Sequence, residues 1–279
     1  MTRNVFQFSE DTSISFESVG DGTRPLVLLH GFGASMESWN DILPELSKQF
    51  RVFRLDLKGH GLSSKPRDAK YSLDDQARIV AAFIRRNQLN DVVLVGHSYG
   101  GGVALLSYLA LAESEAHNPV TAMVLVDSAG YPPTLPFFVS LLRNPILSTV
   151  VQTLVPARRR AEYTLRRLFH DPRRIDEERI ERYAKYFDLP GAHYALTEVA
   201  RQIVPKDIEG LLRQIRTITV PTLIIWGAND RAISPSVGHQ LNDNIRGSRL
   251  EIMEDCGHIP HEERPRETVR IIFDFLEQK

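Results

Sequence analysis

Three residues, far apart in the chain, have the types and settings from which a hydrolytic centre is built. Ser98 sits in Gly96-His97-Ser98-Tyr99-Gly100, directly after the apolar run Val92-Val93-Leu94-Val95 and before the helix-like Gly102-Val103-Ala104-Leu105-Leu106. Strand, sharp turn with a serine at its tip, then helix is the pattern of a nucleophile elbow. Glycine is needed on both sides because the serine is held in a strained conformation and a flanking Cβ would collide with the neighbouring strand or helix. The helix that starts past Ser98 offers the positive end of its dipole to a developing oxyanion.

A serine hydroxyl is a poor nucleophile near neutral pH, so a base must take its proton and a carboxylate must orient that base. Asp230 lies in Gly227-Ala228-Asn229-Asp230-Arg231, after the strand-like Leu223-Ile224-Ile225-Trp226. His258 lies in Glu254-Asp255-Cys256-Gly257-His258, after Leu250-Glu251-Ile252-Met253. Serine, acid, histidine is the chain order expected with such an elbow. Each role has a rival. His261 is three residues past His258, but it adjoins Glu262-Glu263 at what reads as a helix start. Asp127 also ends a strand-like run, Val124-Leu125-Val126, and is read instead as a turn residue or pocket rim.

Two N–H donors must hold the oxyanion. Tyr99, the residue after the serine, supplies one. The loop His30-Gly31-Phe32-Gly33-Ala34-Ser35, after Val27-Leu28-Leu29, supplies the other through Phe32, whose ring is expected to line the acyl pocket. Ser35 is left open between a bond near this loop and none. His30 and His97 read as buried histidines bonded to backbone, and Asp56-Leu57-Lys58-Gly59-His60-Gly61 as a structural turn. The string His258-x-x-His261-Glu262 lacks a third ligand at a suitable spacing, so no metal is expected, and no cofactor is required. His117, His170, His193 and His239 show no partner pattern.

The elements that must position these residues alternate, as expected for a mostly parallel, doubly wound α/β sheet. Strands are expected at Ser13–Ser18, Leu26–Leu29, Val52–Leu55, Val92–Val95, Met123–Val126, Thr222–Trp226 and Leu250–Met253. Helices are expected at Trp39–Phe50, Ser72–Asn87, Gly100–Glu113 and Pro265–Glu277. Ser72 can cap its helix, Asp74 and Asp75 suit the dipole, and Ile79, Val80 and Phe83 share a face. From Tyr131 to about Ile215 strand signals vanish, and several helices broken at Pro145, Pro156, Pro172, Pro190 and Pro205 are expected. This insertion carries fourteen Lys/Arg against ten Asp/Glu, a surplus read as solvated helix faces. Of its aromatics, Phe137 and Phe138 are the expected substrate contacts beside Phe32.

The bulk properties restrict function. The chain of 279 residues is 42% hydrophobic and 25% charged, with net charge -1, which gives no field to draw it to nucleic acid or anionic membranes. No run approaches the roughly 18 apolar residues needed to span a bilayer. The single cysteine, Cys256, and a start without a signal-like apolar core suggest a reducing, cytoplasmic setting. A small-molecule substrate is therefore expected.

Together, His30-Gly31-Phe32-Gly33, the Asp56 to Gly61 turn, Gly96 to Gly101, Trp226 to Asp230 and Gly257-His258 resemble the α/β-hydrolase superfamily, in its branch with a helical cap. The resemblance implies a core over 1–130 and 216–279 and a cap over 131–215. Haloalkane dehalogenases and epoxide hydrolases place an aspartate where this chain has Ser98, so the resemblance disfavours those activities. It implies a serine hydrolase of small to medium carboxylic esters, with Ser98 as nucleophile, His258 as base and Asp230 as orienting acid. Carbon-carbon bond hydrolases keep a serine and a similar cap, and are the alternative. They usually show a longer glycine-rich oxyanion loop and a tryptophan soon after the histidine, where this chain has Phe32 and Ile259-Pro260. Cap arginines reaching the pocket would favour that alternative. A small-ligand receptor on the same fold is the remaining reading.

Overall fold

The computed structural model describes residues 2–114, 117–130 and 135–277. Met1 and Tyr131, the expected start of the insertion, lie outside the described residues. In chain order the elements are β1 (Arg3–Gln7), β2 (Ser13–Val19), β3 (Pro25–Leu29), α1 (Leu43–Leu46), β4 (Arg51–Leu55), α2 (Leu73–Arg86), β5 (Val92–His97), α3 (Tyr99–Ser114) and β6 (Val120–Val126). There follow α4 (Phe137–Leu142), α5 (Pro145–Leu154), α6 (Ala157–Leu168), α7 (Glu177–Ala184), α8 (Ala192–Gln202) and α9 (Ile208–Ile215). The chain then returns to the sheet with β7 (Thr222–Gly227), α10 (Pro235–Asn244), β8 (Arg249–Met253), α11 (Pro260–Glu263) and α12 (Pro265–Glu277).

The eight strands form one sheet in the order β1-β2-β4-β3-β5-β6-β7-β8. β2 runs antiparallel to β1 and to β4, and the other neighbours pair in parallel. Every residue of β3, β5 and β7 is buried, as central strands covered on both faces must be. α2, α3 and α10 cover one face, where Phe83, Val103 and Leu241 meet Leu94 and Ile224. α1 and α12 cover the other, where Trp39, Leu46 and Ile272 meet Val95 and Ile225. Polar ends leave the catalytic candidates on loops at the carboxyl edge of this sheet, where open α/β sheets bind ligands.

Local chemistry explains most boundaries. Ser72 and Asp75 form a reciprocal capping box at the start of α2, and Ile79, Val80 and Phe83 are buried. The continuous helix expected over Trp39–Phe50 is broken into a 3-10 turn at Met36–Trp39 and the short α1. Pro44 has no N–H to give and fits only the first turn of α1. Two elements went unread in the sequence. β1 is an exposed edge strand with little apolar signal. α10 begins at Ser234-Pro235, a polar stretch whose burial comes from Val237 and Leu241.

β6 and β7 are adjacent in the sheet, yet six helices lie between them in the chain. The prolines mark where those helices start: Pro145 opens α5 after the Asn144 cap, Pro156 caps α6, and Pro190 precedes the left-handed Gly191 that leads into α8. The segment has its own small core of Ala161, Leu165, Ile180 and Ala184, closed against Ala34, Ala232 and Ile259 of the sheet domain.

Candidate active site

β5 ends at His97, α3 begins at Tyr99, and Ser98 between them has φ +52°, a left-handed conformation that a serine adopts only when its surroundings compel it. The compulsion is steric. A Cβ on Gly96 would lie 2.3 Å from the Gly100 carbonyl oxygen, and one on Gly100 would lie 2.3 Å from that of Leu29. The turn can therefore pack tightly only with glycine at both positions, as the sequence pattern requires. The Ser98 N–H donates to the Val126 carbonyl (2.9 Å), and the Ser98 carbonyl accepts from Gly101 and Ala129. These bonds fix the backbone and leave the hydroxyl free to point outward.

The structure brings Ser98, His258 and Asp230 together in a hydrogen-bonded line. His258 Nε2 is 2.9 Å from Ser98 Oγ, and His258 Nδ1 is 2.7 Å from Asp230 Oδ2. The other Asp230 oxygen accepts from the Ala232 and Ile233 N–H groups at 2.7 and 3.0 Å, which fixes the carboxylate. With Nδ1–H donated to Asp230, Nε2 is the acceptor facing the serine.

Asp127 is neither a turn residue alone nor a pocket rim. Its Oδ1 accepts from the Gly227 N–H at 3.0 Å, tying the end of β6 to the end of β7. Burial, reinforced by the neighbouring Asp230 carboxylate, pushes it well above the usual carboxylate range. Asp127, Asp230 and His258 place ligand-type atoms within 4.8 Å of one another, but Asp230 and His258 spend theirs on each other.

The other histidines sort by burial. His30 accepts the Leu57 N–H on Nε2 and donates from Nδ1 to the Gly31 carbonyl, pinning the Gly31-Phe32 loop, and burial lowers it to about 4. His97 donates from Nε2 to the His258 carbonyl (2.7 Å), and burial holds it well below its ordinary value. His261, stacked on Trp39, is lowered by burial to about 3. All three stay neutral and do not compete with His258 as base. The Ser35 hydroxyl accepts the Glu37 N–H and caps the 3-10 turn that follows the loop. The Asp56 carboxylate holds the Met36 and Leu62 N–H groups, so its turn is structural, as expected.

Sequence reasoning missed Glu262, Glu263 and Arg179. Glu263 accepts from the N–H groups of Gly257, His170 and Asp171, and the His258 N–H donates to the Leu168 carbonyl at 2.7 Å. The loop that carries the histidine is thus stitched to the end of α6. Buried Glu262 accepts from Tyr183 Oη (2.5 Å) and Arg179 Nε (2.7 Å), and Arg179 also pairs with Asp41. The available signal was the acidic pair following His258, which a loop reading leaves solvated.

Ser98 and His258 open into an inner pocket lined by Phe32, Tyr99, Leu105, Phe138, Val139 and Ile233 among others. Its described lining holds no lysine or arginine. Beyond it, against the insertion, lies a cavity of about 590 Å³, which shares Phe32, Phe138, Leu168 and Tyr183 with the inner pocket. Phe138 therefore borders both spaces, while Phe137 borders only the outer one and is 68% exposed. Phe32 and Tyr99 line the inner pocket with Ser98, and their N–H groups meet no protein acceptor among the described residues.

The chain is similar to known proteins over most of its length. A model of the alpha/beta hydrolase family matches residues 26–271. The chain is 30% identical to the uncharacterized hydrolase YugF of Bacillus subtilis, over 91% of this chain and 90% of that protein. It is 29% identical to a 2-hydroxy-6-oxo-2,4-heptadienoate hydrolase of Pseudomonas putida, over 94% and 92%. It is 27% identical to Lipase 3 of a Moraxella species, over 93% and 79%.

Proposed function

We propose that this chain, which belongs to the alpha/beta hydrolase family, is a serine hydrolase that cleaves small to medium carboxylic esters through an acyl-enzyme, with residues 131–215 as its cap. The observation that carries this reading is the line Asp230–His258–Ser98, with the serine held at φ +52° at the mouth of an apolar pocket. His258 takes the Ser98 proton as Oγ attacks the ester carbonyl. The Phe32 and Tyr99 N–H groups receive the oxyanion, a contribution typically worth a hundredfold or more per donor. His258 then gives the proton to the leaving alcohol and later takes one from the water that releases the acid. Asp230 keeps the imidazole in the tautomer that both steps need.

A carbon-carbon bond hydrolase is the second reading, favoured by the Pseudomonas putida relative. The substrate named for that relative carries its carboxylate at the far end of the dienol chain from the ketone. Among the described residues, no lysine or arginine lines the inner pocket that holds Ser98, and Arg159, Arg160 and Arg166 line only the outer cavity, so the ester reading ranks first. Multiple-turnover hydrolysis of p-nitrophenyl esters from acetyl to decanoyl, by wild type and Ser98→Ala, tests the choice. Ser98-dependent turnover with a chain-length optimum supports the esterase. Absence of turnover on every chain, with cleavage of a vinylogous diketone acid, would overturn it; binding without any turnover would point to a receptor.

A further inference from the structure

α5 is inside out. Its buried positions are Ser148 and Gln152, which bond to each other and to Thr197 on α8. Its outward positions Ile146, Leu147, Val150 and Leu154 are exposed, Ile146 at 75% and Leu154 at 74%. At about 100° per residue these four fall within one arc of about 100°, opposite the polar pair. An apolar stripe that faces away from the protein while polar groups face inward is not a failed core helix, because Ser148 and Gln152 bond each other and Thr197 on the inward side. It is a surface built for an apolar neighbour.

Two features say which neighbour. The stripe continues round the helix into Val151 and Val155, which line the 590 Å³ cavity beside the inner pocket, and exposed Phe137 and Tyr163 border the same cavity. Arginines surround it: exposed Arg143 lies between α4 and α5, Arg159 and Arg166 line the cavity, and Arg167 stacks on Tyr163. Glu162 pairs with Arg159 and Arg166, while Arg143 and Arg167 have no ion pair among the described residues. The chain's net charge of -1 conceals this cationic surface, because the insertion alone carries fourteen Lys/Arg against ten Asp/Glu. An apolar stripe flanked by unpaired arginines matches the acyl boundary and anionic headgroups of a lipid surface. We propose that the outer face of α5, with Phe137 and the surrounding arginines, docks this protein on an anionic phospholipid surface and turns the cavity mouth toward it. The proposal stands on this surface and not on the ester chemistry.

Co-sedimentation of the full chain with vesicles tests it, using phosphatidylcholine alone and phosphatidylcholine doped with phosphatidylglycerol, at low and high salt. Wild type is expected to pellet with the doped vesicles and to be released by salt. I146E/L154E should lower the bound fraction about tenfold or more, since it replaces two inserted side chains with charges that anionic lipid repels. R143E/R167E should abolish the preference for the doped vesicles. Both variants should keep the melting temperature and the p-nitrophenyl acetate turnover of wild type, since neither alters a residue lining the pocket or the cavity. No pelleting, or equal pelleting of wild type and I146E/L154E, overturns the proposal. A concentration-dependent dimer that I146E/L154E dissociates, without vesicle binding, overturns it in favour of a second copy of the chain. Vesicle binding with no ester turnover would leave this inference standing and remove the proposed function instead.

Discussion

The sheet and α5, in the segment inserted between its sixth and seventh strands, bury opposite kinds of side chain. β5 is wholly buried and almost wholly apolar, and everything about Ser98 follows from how tightly it packs. α5 hides Ser148 and Gln152 and displays Ile146 and Leu154. Apolar content therefore reports burial in one region and exposure in the other. Rigid packing suits a nucleophile that must be held in strain, whereas a surface that meets substrate is selected for what lies outside the protein.

The largest expected effects separate chemistry from stability within the sheet domain. Ser98→Ala should lower kcat on p-nitrophenyl butyrate by about 10⁴-fold or more. Ser98→Gly should abolish turnover equally yet raise unfolding free energy by about 1 kcal/mol, because glycine adopts φ +52° without strain. A Ser98→Gly protein less stable than wild type in urea titration would deny that the elbow is strained.

The junction between the two regions comes next. Arg179→Met leaves buried Glu262 without its ion-pair partner, while Asp41 keeps Arg182, and should cost about 3 kcal/mol, since an uncompensated buried carboxylate is strongly destabilising. Because Glu262 adjoins the His258 loop, kcat should fall in the same variant. Unaltered stability in thermal melts would show that the insertion and the sheet domain are coupled by packing alone.

Phe138 is where the inner pocket meets the outer cavity. Phe138→Ala should shift the chain-length optimum of kcat/KM toward longer esters by up to about tenfold while leaving acetate turnover nearly unchanged. A uniform loss on all chains would mean that this ring supports the site and does not select substrate.

The smallest effect concerns Asp127. Its folded carboxyl stays protonated above the pH at which the unfolded chain ionises, so the unfolded state binds fewer protons and stability declines as pH rises from the ordinary carboxylate range to the raised value. Asp127→Asn keeps an acceptor for the Gly227 N–H and cannot ionise. It should be more stable than wild type above the ordinary carboxylate range, with the difference vanishing in acid. Urea midpoints measured across that range would expose the opposite trend if Asp127 were charged.

How much was legible follows the same division. The elbow, the order serine-acid-histidine and the capping box at Ser72 are local patterns in which a few neighbouring residues dictate the backbone, so they can be read from the chain. Asp230 and Asp127 both follow strand ends, so strand position alone does not separate them. What does, two backbone N–H donors and His258 on Asp230 against the Gly227 N–H on buried Asp127, is not legible in the sequence. Glu262, Glu263 and Arg179 went unread because the bonds that tie the His258 loop to the inserted segment join residues about 80 or more apart in sequence.

By itself the sequence determined an alternating α/β fold, the family, and which three residues stand at the ends of which strands, because strand periodicity, glycine placement and helix caps act over a handful of neighbours. Only the tertiary structure decided that those residues meet within hydrogen-bonding distance, that Asp127 is buried against Asp230, and that the apolar stripe of α5 faces outward. Each of these depends on which surfaces the folded chain withdraws from water, a property of contacts between distant segments that no local pattern encodes.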